Sequence, residues 1–184
     1  MNVAEKAMEH VVPEDILDIL DEVGDNVNAA TITNIQFAGV DQDISERQGI
    51  EEDCFDTLHS KKIPKKPILK ETRHIISVAK GSKKKLTTSL TLELSLSTSG
   101  NFYKKADLGF KASAKKTVEK GEEFSGPPES SKDNCREYYE RSYDEEGQWK
   151  QWYTDSSGYT TKSTSGTYQE PLKFNEFNLD VTEY

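Results

Sequence analysis

The chain has 184 residues, with 24 basic and 33 acidic side chains and a formal net charge of −9. Leu, Ile, Val and Phe make up about a fifth of it, near the lower edge of what sustains a packed core, which argues against a large enzyme with a deep pocket. No apolar run approaches the roughly 20 residues that a membrane-spanning helix needs, so a helical membrane protein is excluded.

The charge is segregated along the chain. Residues 1–60 hold 2 basic and 15 acidic groups, whereas residues 61–85 hold 10 basic and 1 acidic. This shift suggests an acidic N-terminal region over 1–60, a basic Pro-containing connector over 61–71, and a β body over 72–184. The opening MNVAEKAMEHVVPEDILDIL lacks a basic n-region and an unbroken apolar stretch. It therefore does not read as a secretory signal, and the expected location is cytosolic, particle-packaged or released without a classical signal.

A first short helix is expected over 2–11, capped by Asn2 with Glu5 in the first turn. Pro13, Glu14 and Asp15 suit the start of a second, whose Ile16, Leu17, Ile19, Leu20 and Val23 repeat at 3–4 spacing up to Gly24. Residues 31–37 read as a strand. Residues 50–58 read as a third short helix, with Ile50, Cys54, Phe55 and Leu58 on one side. The segment KKIPKKPILKE has two prolines and no periodicity, which predicts an extended connector.

From about residue 72 the period changes to 2. Leu86, Leu90, Leu92, Leu94 and Leu96 occupy even positions, with Thr, Ser and Glu between them. Successive strand side chains point to opposite faces, so this is one apolar and one polar face. After Ser99-Gly100-Asn101 the alternation resumes with Phe102, Ala106, Leu108, Phe110, Ala112 and Ala114, interrupted at Lys104. The pattern predicts an amphipathic hairpin of about 30 residues over 86–118. Its candidate packing or membrane face is Leu90, Leu92, Leu94, Leu96, Phe102, Leu108 and Phe110. A polar loop should follow, then a second hairpin turning at Asp144-Glu145-Glu146-Gly147. In 172–181 the apolar positions change phase, which reads as a bulge.

The Ser/Thr and Leu alternation of 86–118 resembles the insertion hairpin of aerolysin-type β-pore-forming proteins. That resemblance implies a hairpin that detaches and closes with other copies into a transmembrane barrel. The stretch FSGPPESS followed by REYYERSY, within 124–143, is similar to uncharacterised β-rich proteins of spore-forming bacteria, which implies no activity.

The search for chemistry is mostly negative. His10, His59 and His74 form no metal-ligand spacing, and no GxSxG, P-loop or GxGxxG is present, so no catalytic residue, metal or cofactor is expected. Cys54 and Cys135 leave open one bridge or two buried thiols. Glu122, Glu123, Glu137, Glu140, Asp144, Glu145 and Glu146 read most simply as a solvated strand edge. Lys61, Lys62, Lys65, Lys66, Lys83, Lys84 and Lys85 form a candidate basic strip for an acidic neighbour or an anionic surface. Nucleic acid is a poor fit, because no aromatic residue interleaves with the strip. Trp149, Trp152 and Tyr153 form a candidate aromatic platform for sugars or protein, with Trp152 on the opposite side of the strand from the other two.

The combined expectation is an α+β chain, mostly β, with an antiparallel sandwich-like body and a short acidic helical N-terminal region. The leading functional expectation is a non-enzymatic protein acting by surface contact or self-assembly, with itself or another protein as partner. Membrane action through the 86–118 hairpin is the alternative, and carbohydrate binding through the late aromatics is a third.

Overall fold

The computed structural model describes residues 27–38 and 56–182. The helices expected over 2–11 and up to Gly24, and most of the one over 50–58, lie outside these residues; residues 57–58 begin a strand instead.

The described part is mostly antiparallel β-sheet. Nine strands follow in order: β1 (Val27–Phe37), β2 (Thr57–Ala79), β3 (Lys83–Lys85), β4 (Leu90–Ser95), β5 (Ser97–Thr98), β6 (Ser113–Val118), β7 (Glu123–Ser125), β8 (Cys135–Thr154) and β9 (Thr160–Val181). A 3-10 turn spans Lys105–Leu108. The main sheet has the order β1-β9-β8-β2, with β5 added to β9. β2, β8 and β9 have 23, 20 and 22 residues. At roughly 3.3 Å per residue each runs about 70 Å, several times an ordinary strand.

The structure departs from two sequence expectations. The 61–71 connector is the interior of β2. Pro64 and Pro67 are tolerated because β2 is an edge strand among the described residues, and its outward N–H groups need no ladder partner. The second hairpin does not turn at 144–147, since β8 runs straight through and pairs β9 from Cys135↔Val181 to Thr154↔Thr160. Gly147 is a close-approach residue: a Cβ there would lie 2.5 Å from the Tyr168 hydroxyl and 2.6 Å from the Ile63 carbonyl oxygen. The chain turns later, at 155–159, where the Asp155 carboxylate accepts hydrogen bonds from the Ser157 and Tyr159 amides.

The phase change in 172–181 has two sources. Pairing steps from Tyr143↔Lys173 to Asp144↔Pro171, so Leu172 is an extra residue there. Beyond it the register is unbroken, and the change arises because both faces of β9 are covered. Phe174 packs with Leu92 and Leu94, whereas Phe177 and Leu179 cluster with Ile32 and Tyr139. Pro171 falls between the ends of β1 and β5, where β9 lacks a second described ladder partner.

The smaller layer comes from residues 80–134, which connect β2 to β8. It contains two separate two-stranded sheets, β3-β7 and β4-β6. Its core against the long sheet is Val78, Leu86, Val118, Phe124 and Tyr138.

Candidate functional site: a lid on the long sheet

The segment 80–134 leaves and rejoins the sheet at one point, because Ala79 and Cys135 are register partners in the β2–β8 ladder. Between them the chain folds back as a lid. β4 and β6 pair only with each other, from Leu90↔Val118 to Ser95↔Ser113. The one ladder tying the lid to the main sheet, among the described residues, is β5, through Ser97↔Gln169 and Thr98↔Tyr168.

The even positions face inward. Leu92 and Leu94 are buried on Phe174, and Leu90 is half-buried beside them. Glu93, Ser95, Ser113 and Lys115 are exposed on the other side. The periodicity reading therefore holds for β4 and β6, but the uniform 30-residue hairpin does not. Pairing covers six residues per strand, and 96–112 departs from it. Leu96 is half-buried at the departure. Phe102, Leu108 and Phe110 belong to a different cluster, with Trp149 and Tyr168. The candidate face is thus split between two anchor points.

The departure has a physical cause at the second anchor. Phe102 stacks on Trp149 with centroids 4.1 Å apart, and the Trp149 indole donates to the Ser99 carbonyl at 2.9 Å. Gln151 is fully buried, and its side-chain oxygen accepts from the Tyr103 and Lys104 amides at 2.8 and 3.1 Å. Its amide nitrogen donates to the Ser60 hydroxyl and the Lys104 carbonyl. Glu170 accepts from the Lys111 amide and pairs with Lys62 at 2.9 Å. Gly166 permits this closeness, since a Cβ there would lie 2.0 Å from the Ser99 carbonyl oxygen.

Under β4 and β6 the interface is partly polar. Glu140 and Glu176 are register partners across β8 and β9, and Glu140 is 1% exposed. The solvated-edge reading fails for Glu140 and for Asp144, which is 2% exposed. Burial pushes the Glu140 carboxyl up to about 7; Glu176 adds to the rise, Lys116 opposes it, and Glu122 adds again. Glu176 is also raised, by burial and then Glu122, against Lys116 and a hydrogen bond from Thr33. Burial raises Asp144 too, against Lys70 at 3.7 Å. Arg73 is in register with Glu140 but donates to Glu71 and to the Thr91 carbonyl of the lid. The signal for Glu140 was in the sequence, as it shares parity with Tyr138 and Ser142 on the buried side of β8. A groove of about 730 Å³ separates Gln36, Phe37 and Ala38 from Leu94 and Ala114, so the outer margin of the lid is undercut.

The remaining candidates fall elsewhere. Lys61, Lys65 and Lys66 are exposed along β2, while Lys62 is held by Glu170 and lies over the Phe110 and Tyr168 rings. Lys83, Lys84 and Lys85 are exposed on β3, with Lys83 near Glu123 and Lys84 donating to the Ser77 carbonyl. The basic strip is therefore two patches. Trp149 is fully buried, Tyr153 packs on Tyr103 beneath Lys162, and Trp152 stacks on His59. The three rings share no open surface. Cys135 is buried and Cys54 lies outside the described residues.

A knot near Ala79 escaped the sequence reading. The same His74 ring nitrogen meets the Glu137 carboxylate at 2.6 Å and the Ser77 hydroxyl at 3.0 Å, and Ser77 also donates to Glu137. A nucleophile relay would need serine and carboxylate on opposite ring nitrogens, so this arrangement pins β2 to β8 instead. Burial acts to raise Glu137, but donors from Ser77, His74 and Cys135 outweigh it and hold the carboxyl below its ordinary value.

No family model, curated protein or solved structure matches the chain. Among the described residues, no helix is long and apolar enough to cross a membrane.

Proposed function

We propose that the protein is non-enzymatic and acts on membranes by a conformational change: the lid leaves the sheet, and its 86–118 part joins those of other copies in a membrane-crossing β-barrel. The observation that carries this reading is the Ala79↔Cys135 pairing at the end of two adjacent antiparallel strands. Straightening 80–134 would lengthen the hairpin that β2 and β8 already form, without breaking either strand. Leu90, Leu92, Leu94, Phe102, Leu108 and Phe110, now turned onto the sheet, would then face lipid. The alternating stretches 86–98 and 102–114 each supply the roughly 9–11 residues a strand needs to span a bilayer. A lone hairpin would leave unpaired edges in hydrocarbon, so several copies must close the barrel. Exposed Lys61, Lys65 and Lys66 on the long β2 edge suit an anionic lipid surface as the place of assembly. The same charges and prolines discourage pairing along that edge in solution.

The test is a reducible lock on the lid. The Ser99 and Thr167 hydroxyls lie 2.8 Å apart, joining the lid to β9. Ser99→Cys with Thr167→Cys, in a background with both native cysteines changed to Ser, should release dye from anionic vesicles only after reduction. Equal release in both redox states, or none from the reduced or wild-type protein at any protein-to-lipid ratio, would refute the proposal. Light scattering of the vesicle-free samples detects the competing reading, assembly without a membrane.

A further inference from the structure

We propose that the interface between lid and sheet is a proton-operated latch: Glu140 and Glu176, buried side by side beneath the lid, hold it closed while protonated and loosen it on losing their protons, so the lid opens as pH rises. What opening accomplishes rests on the membrane reading above, but the latch is a property of the isolated protein.

The geometry carries the inference. Glu140 and Glu176 stand directly opposite each other in an antiparallel pair, where two like charges repel. Glu140 Oε2 has no hydrogen-bond partner among the described residues, although it is buried. A buried carboxylate oxygen in that position is costly when ionised and much less so when protonated.

The charged groups around the pair do not neutralise it. From the lid, β6 contributes Lys116 and the turn after it contributes Glu122. From β2, Arg73 and Glu71 pair with each other at 2.9 Å, and Arg73 reaches the Thr91 carbonyl. From β1, Thr33 gives Glu176 a hydroxyl donor at 3.3 Å. On β3, Lys84 is engaged with the Ser77 carbonyl. Among the described residues, three carboxylates thus face one uncommitted ammonium, and lifting the lid would return Glu140 to water.

The sign follows from linkage. With the lid down the Glu140 carboxyl titrates at about 7, and in water at its ordinary 4.5. The closed state therefore holds its proton to higher pH. Its advantage is complete below the ordinary value and is lost as pH rises through the closed-state value. For this group alone, the opening equilibrium should rise about 30-fold between about pH 5.5 and about pH 8.

Hydrogen exchange of β4 and β6 in the vesicle-free protein, corrected for the intrinsic pH dependence of exchange, reads that equilibrium. Wild type should open more as pH rises, and Glu140→Gln should lose most of that rise. Lys116→Gln should open more than wild type at about pH 8 and match it at about pH 5.5, a difference that mere misfolding would not produce. Corrected opening that is flat or falls with pH in wild type would overturn the latch, as would a Glu140→Gln variant that keeps the wild-type dependence. A pH-dependent lid that never releases dye would instead sink the membrane reading and leave the latch standing.

Discussion

Gln151 is the residue on which the far end of the lid depends most directly. It is fully buried, lies in the middle of the sheet on β8, and binds Tyr103, Lys104 and Ser60 through both ends of its side-chain amide. Gln151→Leu keeps the approximate volume and removes every one of these bonds. Lys104 is exposed, so its freed amide and carbonyl can turn to water. The half-buried Tyr103 amide cannot do so without lifting the loop. One stranded buried donor costs about 1–3 kcal/mol and the bond it loses about 1 kcal/mol, which gives about 2–4 kcal/mol with the other freed groups turning to water. That should raise local opening of 99–111 by about 30-fold to about 1000-fold. Hydrogen exchange resolves it: amides of 99–111 should exchange faster, while those of 135–143 keep wild-type protection. Exchange of 99–111 within about threefold of wild type would show that Phe102 and Trp149 hold the loop without Gln151, and the reasoning would fail.

Other outcomes follow from the same contacts. Gly166→Ala should force the Ser99 carbonyl away from the Trp149 indole, seen as a red shift in tryptophan emission and a stability loss of about 1–3 kcal/mol, because the blocking atom is backbone. Leu92→Ala should cost about 2–5 kcal/mol in denaturant unfolding, since Leu92 is fully buried on Phe174. Lys61, Lys65 and Lys66 changed together to Gln should weaken sedimentation with anionic vesicles by about 100-fold at low salt, at about 1 kcal/mol per lysine, and leave neutral vesicles unaffected.

Much of the sheet was legible because two-residue periodicity survives wherever one face is buried. The even-numbered leucines of β4 pack as their spacing says, and TITNIQF lies within β1. Legibility failed where burial was two-sided or where local chemistry imitated a turn. Phe174 and Phe177 break alternation because opposite faces of β9 are each covered. Asp144-Glu145-Glu146-Gly147 has turn composition, yet Asp144 is buried near Lys70 and Gly147 makes room for Tyr168. The Lys-Pro stretch of β2 shows no period because an edge strand accepts residues that a central strand would reject. The split of the lid into two anchors had no local signal at all. It depends on Trp149, Gln151 and Glu170, some 40 or more residues later in the chain, meeting Phe102, Tyr103 and Lys111.

One pair of substitutions separates the polarity of the interface from its packing. Lys116 sits opposite Leu92, in the same inward row as Val118 and Ala114, and its charge acts on Glu140 across the interface. An apolar row would hold the lid more firmly, because desolvating charges offsets what their attraction returns. Replacing buried charged groups together by apolar residues of similar size is commonly neutral or stabilising by about 1–4 kcal/mol, whereas removing one partner strands the other. Glu140→Leu with Lys116→Leu should therefore raise the unfolding midpoint, protect β4 and β6 from exchange at every pH, and reduce dye release, while Lys116→Leu alone should destabilise the lid above about pH 7. A double variant that melts below wild type would mean that the charges contribute to holding the lid, and a hold that charge removal weakens could not be released by deprotonation.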